Sequence, residues 1–109
     1  MSYFTQAYAA KMFFKLKPDE YRFVDNMWYQ ICKDGIYDKI NKTDGMALNI
    51  YDTLRQEIIR IYREDDDDHY IKDKDKSISK IGSVSFIKGV ITFLKDLASG
   101  DQSSLGYSS

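Results

Sequence analysis

Apolar side chains recur at three- and four-residue spacing over most of this chain, and the recurrence divides it into four segments. The first runs from about Ser2 to Leu16, with Ser2 placed to cap its start and Pro18 just beyond its end. The second opens at Pro18, which suits the first turn of a helix, and Asp19 and Glu20 complement the positive end of that helix. Tyr21, Val24, Met27, Trp28, Ile31 and Cys32 then keep i, i+3, i+4 spacing, before Lys33 and Gly35 supply a basic last turn and a stop. The third segment has the strongest pattern. After Lys42-Thr43-Asp44-Gly45, the positions Ala47, Ile50, Tyr51, Leu54, Ile58, Ile61 and Tyr62 hold one face through Arg63. The fourth starts near Ser83 and ends before Gly100, with Val84, Ile87, Val90, Ile91, Leu94, Leu97 and Ala98 on one side and Lys88, Thr92, Lys95 and Asp96 on the other.

This pattern predicts an all-α fold, a small antiparallel bundle of three to four helices with a charged loop before the last. Its core is expected around Trp28, Ile31, Leu54, Ile58, Ile61, Ile87, Ile91 and Leu94. Residues 1–98 are then a single helical domain and 99–109 a polar C-terminal tail, in which only Leu105 and Tyr107 are able to act as anchors. In the short connector Gly35 to Asp44, Ile36 and Ile40 suit another helical turn. In the longer one, Asp65 to Ile81, Ser77 to Ile81 alternates like a short strand, and a hairpin over residues 69–81 is the weaker alternative to a loop. There is no internal repeat and no heptad run long enough for a coiled coil.

Length and composition agree with one globular domain: 109 residues with 43% apolar content can build one core. Sixteen basic against seventeen acidic residues leave a net charge of −1, which argues against binding duplex nucleic acid mainly by charge. The lone Cys32 excludes an internal disulfide framework and reads as a small buried hydrophobe. No apolar leader is visible and no apolar run approaches the roughly 20 residues that cross a bilayer, so a cytoplasmic protein without a membrane role is expected. Lys outnumbers Arg twelve to four, Ile and Tyr are abundant and there is one Pro. That usage matches AT-rich codons and points to an AT-rich bacterium or one of its phages.

The most unusual stretch is Arg63 to Lys76, REDDDDHYIKDKDK. A calcium loop beginning at Asp73 needs Gly at its sixth position and a carboxylate at its twelfth, where this chain has Ile78 and Val84. Four consecutive Asp residues cannot converge on one ion, and no metal or cofactor is expected. The run ends the third helix, since acids oppose the negative end of a helix, and keeps a connector wet. As a charged surface its acidic half, Asp65, Asp66, Asp67 and Asp68, suits a basic partner. One His and one Cys lie on either side of the third helix with no third group to orient them, and the glycines form no phosphate loop, so an enzyme with a cryptic site ranks last.

The first segment carries the functional expectation. Tyr3, Phe4, Tyr8, Met12, Phe13, Phe14 and Leu16 project around most of a helix, more than a small domain usually covers. A homodimer or another protein is therefore expected against Tyr3, Phe4, Tyr8 and Phe14. The function expected is a non-enzymatic protein-interaction module, an inhibitor or adaptor encoded by a phage and acting on a host protein. The alternative is a small nucleic-acid-binding accessory protein that uses Lys72, Lys74 and Lys76.

Overall fold

The computed structural model describes residues 5–32, 35–64 and 74–100. Its elements run α1 (Gln6–Leu16), β1 (Tyr21–Val24), β2 (Met27–Ile31), β3 (Tyr37–Ile40), α2 (Asp44–Glu64), α3 (Lys74–Ile81) and α4 (Val84–Leu97). The fold is therefore α/β, with four helices and a three-stranded antiparallel sheet among the described residues, the sheet packed against α1 and α4, and the expected all-α bundle is overturned.

The correction falls on the second segment, which is a hairpin. Val24 pairs with Met27, leaving Asp25 and Asn26 as a two-residue turn with φ of 52° and 65°. Two consecutive positive-φ residues make the turn whose twist matches that of paired strands, and Asp and Asn are the non-glycine residues that best tolerate it. The ladder continues through Phe23 with Trp28 and Tyr21 with Gln30, and β2 pairs in turn with β3 through Trp28 with Ile40 and Ile31 with Tyr37. Directly opposed residues share a face. Tyr21, Phe23, Trp28 and Ile40 thus face the helices and join the main core, while Val24, Tyr29, Ile31 and Tyr37 form a second cluster on the other side. With both faces apolar, strict alternation disappears. Tyr21, Val24, Trp28 and Ile31 then imitate a helical stripe although they belong to two different faces.

The connector after Gly35 (φ 84°) is likewise extended as β3, not a helical turn. At the opposite edge of the sheet, the Phe23 N–H donates to the Ala98 carbonyl (3.0 Å) and the Gly100 N–H donates to the Phe23 carbonyl (3.1 Å). Ser99 and Gly100 thereby lie beside β1 as a parallel bridge.

The helices follow their predicted stripes more closely. α1 is capped by Thr5, whose hydroxyl accepts from the Tyr8 N–H (3.1 Å), and ends before Pro18. α2 and α4 occupy the third and fourth segments, and Ser83 caps α4 by accepting from the Phe86 N–H (3.4 Å). Ser77 to Ile81 is helical within α3, so the strand and hairpin alternatives fail there; Ile78 and Ile81, three apart, both turn to the core. Residues 65–73 lie outside the described residues. Trp28, Leu54, Ile58, Ile87, Ile91 and Leu94 are buried together as expected, whereas Ile61 packs at the margin and Ile31 sits in the second cluster.

α1 and α4 approach closely where side chains are small. Ala9 and Ala10 are fully buried on α1, and on α4 a Cβ added to Gly89 would meet the amide end of Gln6. That end is flexible and holds only a long hydrogen bond to the Ser85 carbonyl (3.5 Å).

Two outcomes follow for stability. Asn26→Gly should stabilise the protein by about 0.5–1 kcal/mol in chemical denaturation, while Asn26→Val should destabilise it by about 1–2 kcal/mol, because β-branching opposes positive φ. If residues 21–31 were a helix, Asn26→Gly would destabilise the protein and Asn26→Val would be close to neutral. Gly89→Ala should leave the melting temperature unchanged or raise it, since the gain of about 1 kcal/mol in helix propensity outweighs a displaced Gln6 amide.

Candidate functional site

The first turns of α2 and α4 contribute residues to the two sides of one hollow. Between them, closed at one end by the α3–α4 turn, runs a groove of about 450 Å³. Ala47, Tyr51, Ile81, Ile87 and Ile91 line it, and Asp44 and Lys88 stand at its rim. The chain bends by 75° between α3 and α4, which lifts the start of α4 away from α3. Hydrogen bonds from the Gly82 N–H to the Ile78 carbonyl (3.1 Å) and from the Ser83 N–H to the Lys80 carbonyl (3.1 Å) hold this corner. Ser83 then starts α4 so that Val84, at its first position, has no helical turn before it to lie against. Val84 is 72% exposed and Leu48, across the groove, 67% exposed. Two large aliphatic side chains standing in water beside an apolar groove are what a soluble surface usually avoids.

A polar cluster lies elsewhere, where the end of α1 and the start of β1 meet α2. Asn49 donates to the Tyr21 hydroxyl (2.9 Å), and its carbonyl accepts from Lys17 Nζ (3.4 Å) and the Thr53 hydroxyl (3.4 Å). Nearby, Gln30 donates to the Glu20 carboxylate (2.8 Å). Burial pushes the Tyr21 phenol above its usual 10; the hydrogen bond from Asn49 pulls it back and the Glu20 carboxylate raises it further. On the other sheet face Tyr37 donates to the Asp19 carbonyl (2.6 Å) beneath the Arg22 guanidinium, whose carbon lies 5.4 Å from the ring centroid. Its phenol too is raised, by burial first; Arg22 opposes the shift, while Asp19 and Glu20 add to it. Arg22 is itself anchored by the Pro18 carbonyl (2.8 Å) and the Asp19 carboxylate (3.0 Å).

These groups fasten elements to one another. None forms a nucleophile with an adjacent base. Cys32 is partly exposed, not buried, and its thiol donates to the Asp38 carboxylate (2.9 Å). Among the described residues no group of three or more His, Cys, Asp or Glu side chains could hold a metal ion, and no single helix is long and apolar enough to cross a membrane.

The residues nominated from sequence are dispersed. Tyr8 and Phe14, on α1, are partly buried and pack against this chain's own main core. Lys74 opens α3 and Lys76 is exposed one position after Asp75 on the same helix, away from the groove. Tyr3, Phe4, Asp65, Asp66, Asp67, Asp68 and Lys72 lie outside the described residues. Sequence reasoning missed the groove itself. Leu48 falls off the apolar face of the third segment, and Val84 reads as a core position by its spacing. Comparison with family models, curated proteins and solved structures finds no match to this chain.

The polar cluster makes stability depend on alkaline pH. Tyr21 ionises at higher pH folded than unfolded, so its contribution is complete below pH 10 and is lost as pH rises through the folded value. Denaturation at a series of pH values should show stability falling more steeply above pH 10 in the native chain than in Tyr21→Phe. Equal slopes would remove Tyr21 as the cause.

Proposed function

We propose that this chain is a non-enzymatic protein-interaction module, an inhibitor or adaptor that works by covering part of another protein. The observation that carries the reading is the pair Leu48 and Val84, both largely exposed on either side of an apolar groove. Exposed apolar side chains around a hollow, rimmed by polar groups, mark an interaction surface, with the charged rim of Asp44 and Lys88 adding direction more than affinity.

The walls of the groove also favour one kind of partner. They are helices whose backbone groups are bonded internally, so an extended peptide laid there finds no ladder of donors and acceptors. An amphipathic helix brings a satisfied backbone and offers apolar residues three or four positions apart, which suits a groove between two helices. The AT-leaning composition fits a phage-encoded chain acting on a host protein.

Val84→Asp and Leu48→Asp test this reading. Both positions are exposed, so circular dichroism and melting should be unchanged, while retention of the partner by tagged protein should fall at least tenfold, a change of about 1.4 kcal/mol. Treatment with nuclease should make no difference. A partner held equally well by both variants would sink the groove, and one lost on nuclease treatment would transfer the function to nucleic acid.

A further inference from the structure

We propose that the outer side of α2 pairs this chain with a second copy of itself, the two helices running antiparallel about a twofold axis between Asp52 and Arg55. Leu48, Asp52, Arg55 and Ile59 are spaced four, three and four residues apart. At 100° per residue they fall within an arc of about 60°, turned away from the buried Ile50, Leu54 and Ile58. Leu48, Asp52 and Arg55 are exposed, and Ile59 is half-buried yet outside the packed core clusters.

The spacing is self-complementary in one orientation only. Antiparallel about that axis, Leu48 faces the partner's Ile59 and Asp52 faces the partner's Arg55, and the symmetry repeats both pairs. Two opposite-charge pairs lie at the centre with an aliphatic pair at each end. A parallel arrangement sets Asp52 on the partner's Asp52 and Arg55 on the partner's Arg55, which repel. The alternation of four and three is also the seam of two helices crossing at about 20°. Such helices need close approach, and Gly45 supplies it next to Leu48: nothing lies within 4 Å of where its Cβ would stand. A shallow hollow of about 410 Å³ runs along the same side, bordered by Gly45, Leu48, Asn49 and Asp52.

The two charges are available for this. Asp52 accepts from the Gln56 amide (3.0 Å) and Arg55 is exposed, and among the described residues neither is in an ion pair. Although they are only three positions apart on one helix, they do not bridge to each other. Two charges that do not pair along their own helix but match across a symmetry axis make a surface that selects its own copy. The seam is short compared with a standard interface of roughly 800 Å² on each side, so association in the micromolar range is expected. Asp52 and Arg55 take no part in lining the groove between α2 and α4, and Val84 takes no part in this seam.

Sedimentation of the full chain up to about 500 µM, well above the expected Kd, tests the inference. The native chain should shift with concentration from 12.7 kDa toward twice that mass. Asp52→Arg and Arg55→Asp should each weaken association at least tenfold, because each sets like charges against like across the axis. An equimolar mixture of the two variants should recover it, since two basic positions then meet two acidic ones; variants that had merely unfolded would not rescue each other. A native chain that stays at 12.7 kDa, single variants that still associate, or a mixture that does not recover would each overturn the proposal. Leu48 borders both surfaces, so Leu48→Asp acts on both; Asp52→Arg and Arg55→Asp read the seam alone, and Val84→Asp reads the groove alone.

Discussion

An aromatic layer joins the sheet to the helices, and the rest of the arrangement depends on it. Phe13 of α1 stacks on Tyr21 of β1 with centroids 6.0 Å apart, Tyr21 meets Trp28 of β2 edge-on at 6.3 Å, and Phe23 leans on Trp28 at 4.9 Å. Three strands of four or five residues are not stable in water alone and need one face covered. Aromatic side chains offer the largest area per residue for that, and each well-placed pair adds about 0.5–1.5 kcal/mol beyond area. Tyr21 has a second task. Its ring lies in the layer while its hydroxyl meets Asn49, so β1 is fixed to α1 and to α2 by one side chain.

Once the sheet takes α1 and α4 as its cover, the position of the other elements follows. Small residues let α1 and α4 come close, and Lys95 of α4 then reaches over Phe23, with its ammonium 5.2 Å from the ring centroid. The chain leaving α4 passes along β1 and occupies part of its edge, which reduces the open ladder that a sheet of this size presents. α2 lies against α1, α3 and α4. One side of it holds Met46, Ile50, Leu54 and Ile58 in the core, and the other faces water over 21 residues. Both surfaces proposed to bind proteins include this helix: the groove sets its Leu48 across from Val84 of α4, and the seam uses its Leu48, Asp52, Arg55 and Ile59.

How much was legible in the sequence differs by element, for physical reasons. α2 and α4 were readable because a 3.6-residue period sustained over 21 and 14 residues is compatible with a helix and not with a strand. The hairpin was not. Its turn, Asp25-Asn26, lacks the glycine that usually marks such a turn, and its two apolar faces erase the alternation that marks a strand. The aromatic and β-branched content of Tyr21 to Ile31 was the available signal, and it favoured strands. α1 shows the same limit. Its broad apolar circumference was legible, but Tyr8 and Phe14 are partly covered from within the chain by a core that the helices share with the sheet.

By itself, then, the sequence determined where the two long helices run and which side chains tend to be covered. It also contained the outer stripe of α2, since helical spacing and charge order are local properties. Only the tertiary structure decided that Trp28 and Ile31 lie on opposite faces of a sheet, and that Val84 stands in water while Ile87 and Ile91 are buried. The reason is that an apolar pattern reports the tendency of a side chain to be covered, a property of one residue and its neighbours. What covers it depends on contacts between segments far apart in the chain, and those are settled by packing.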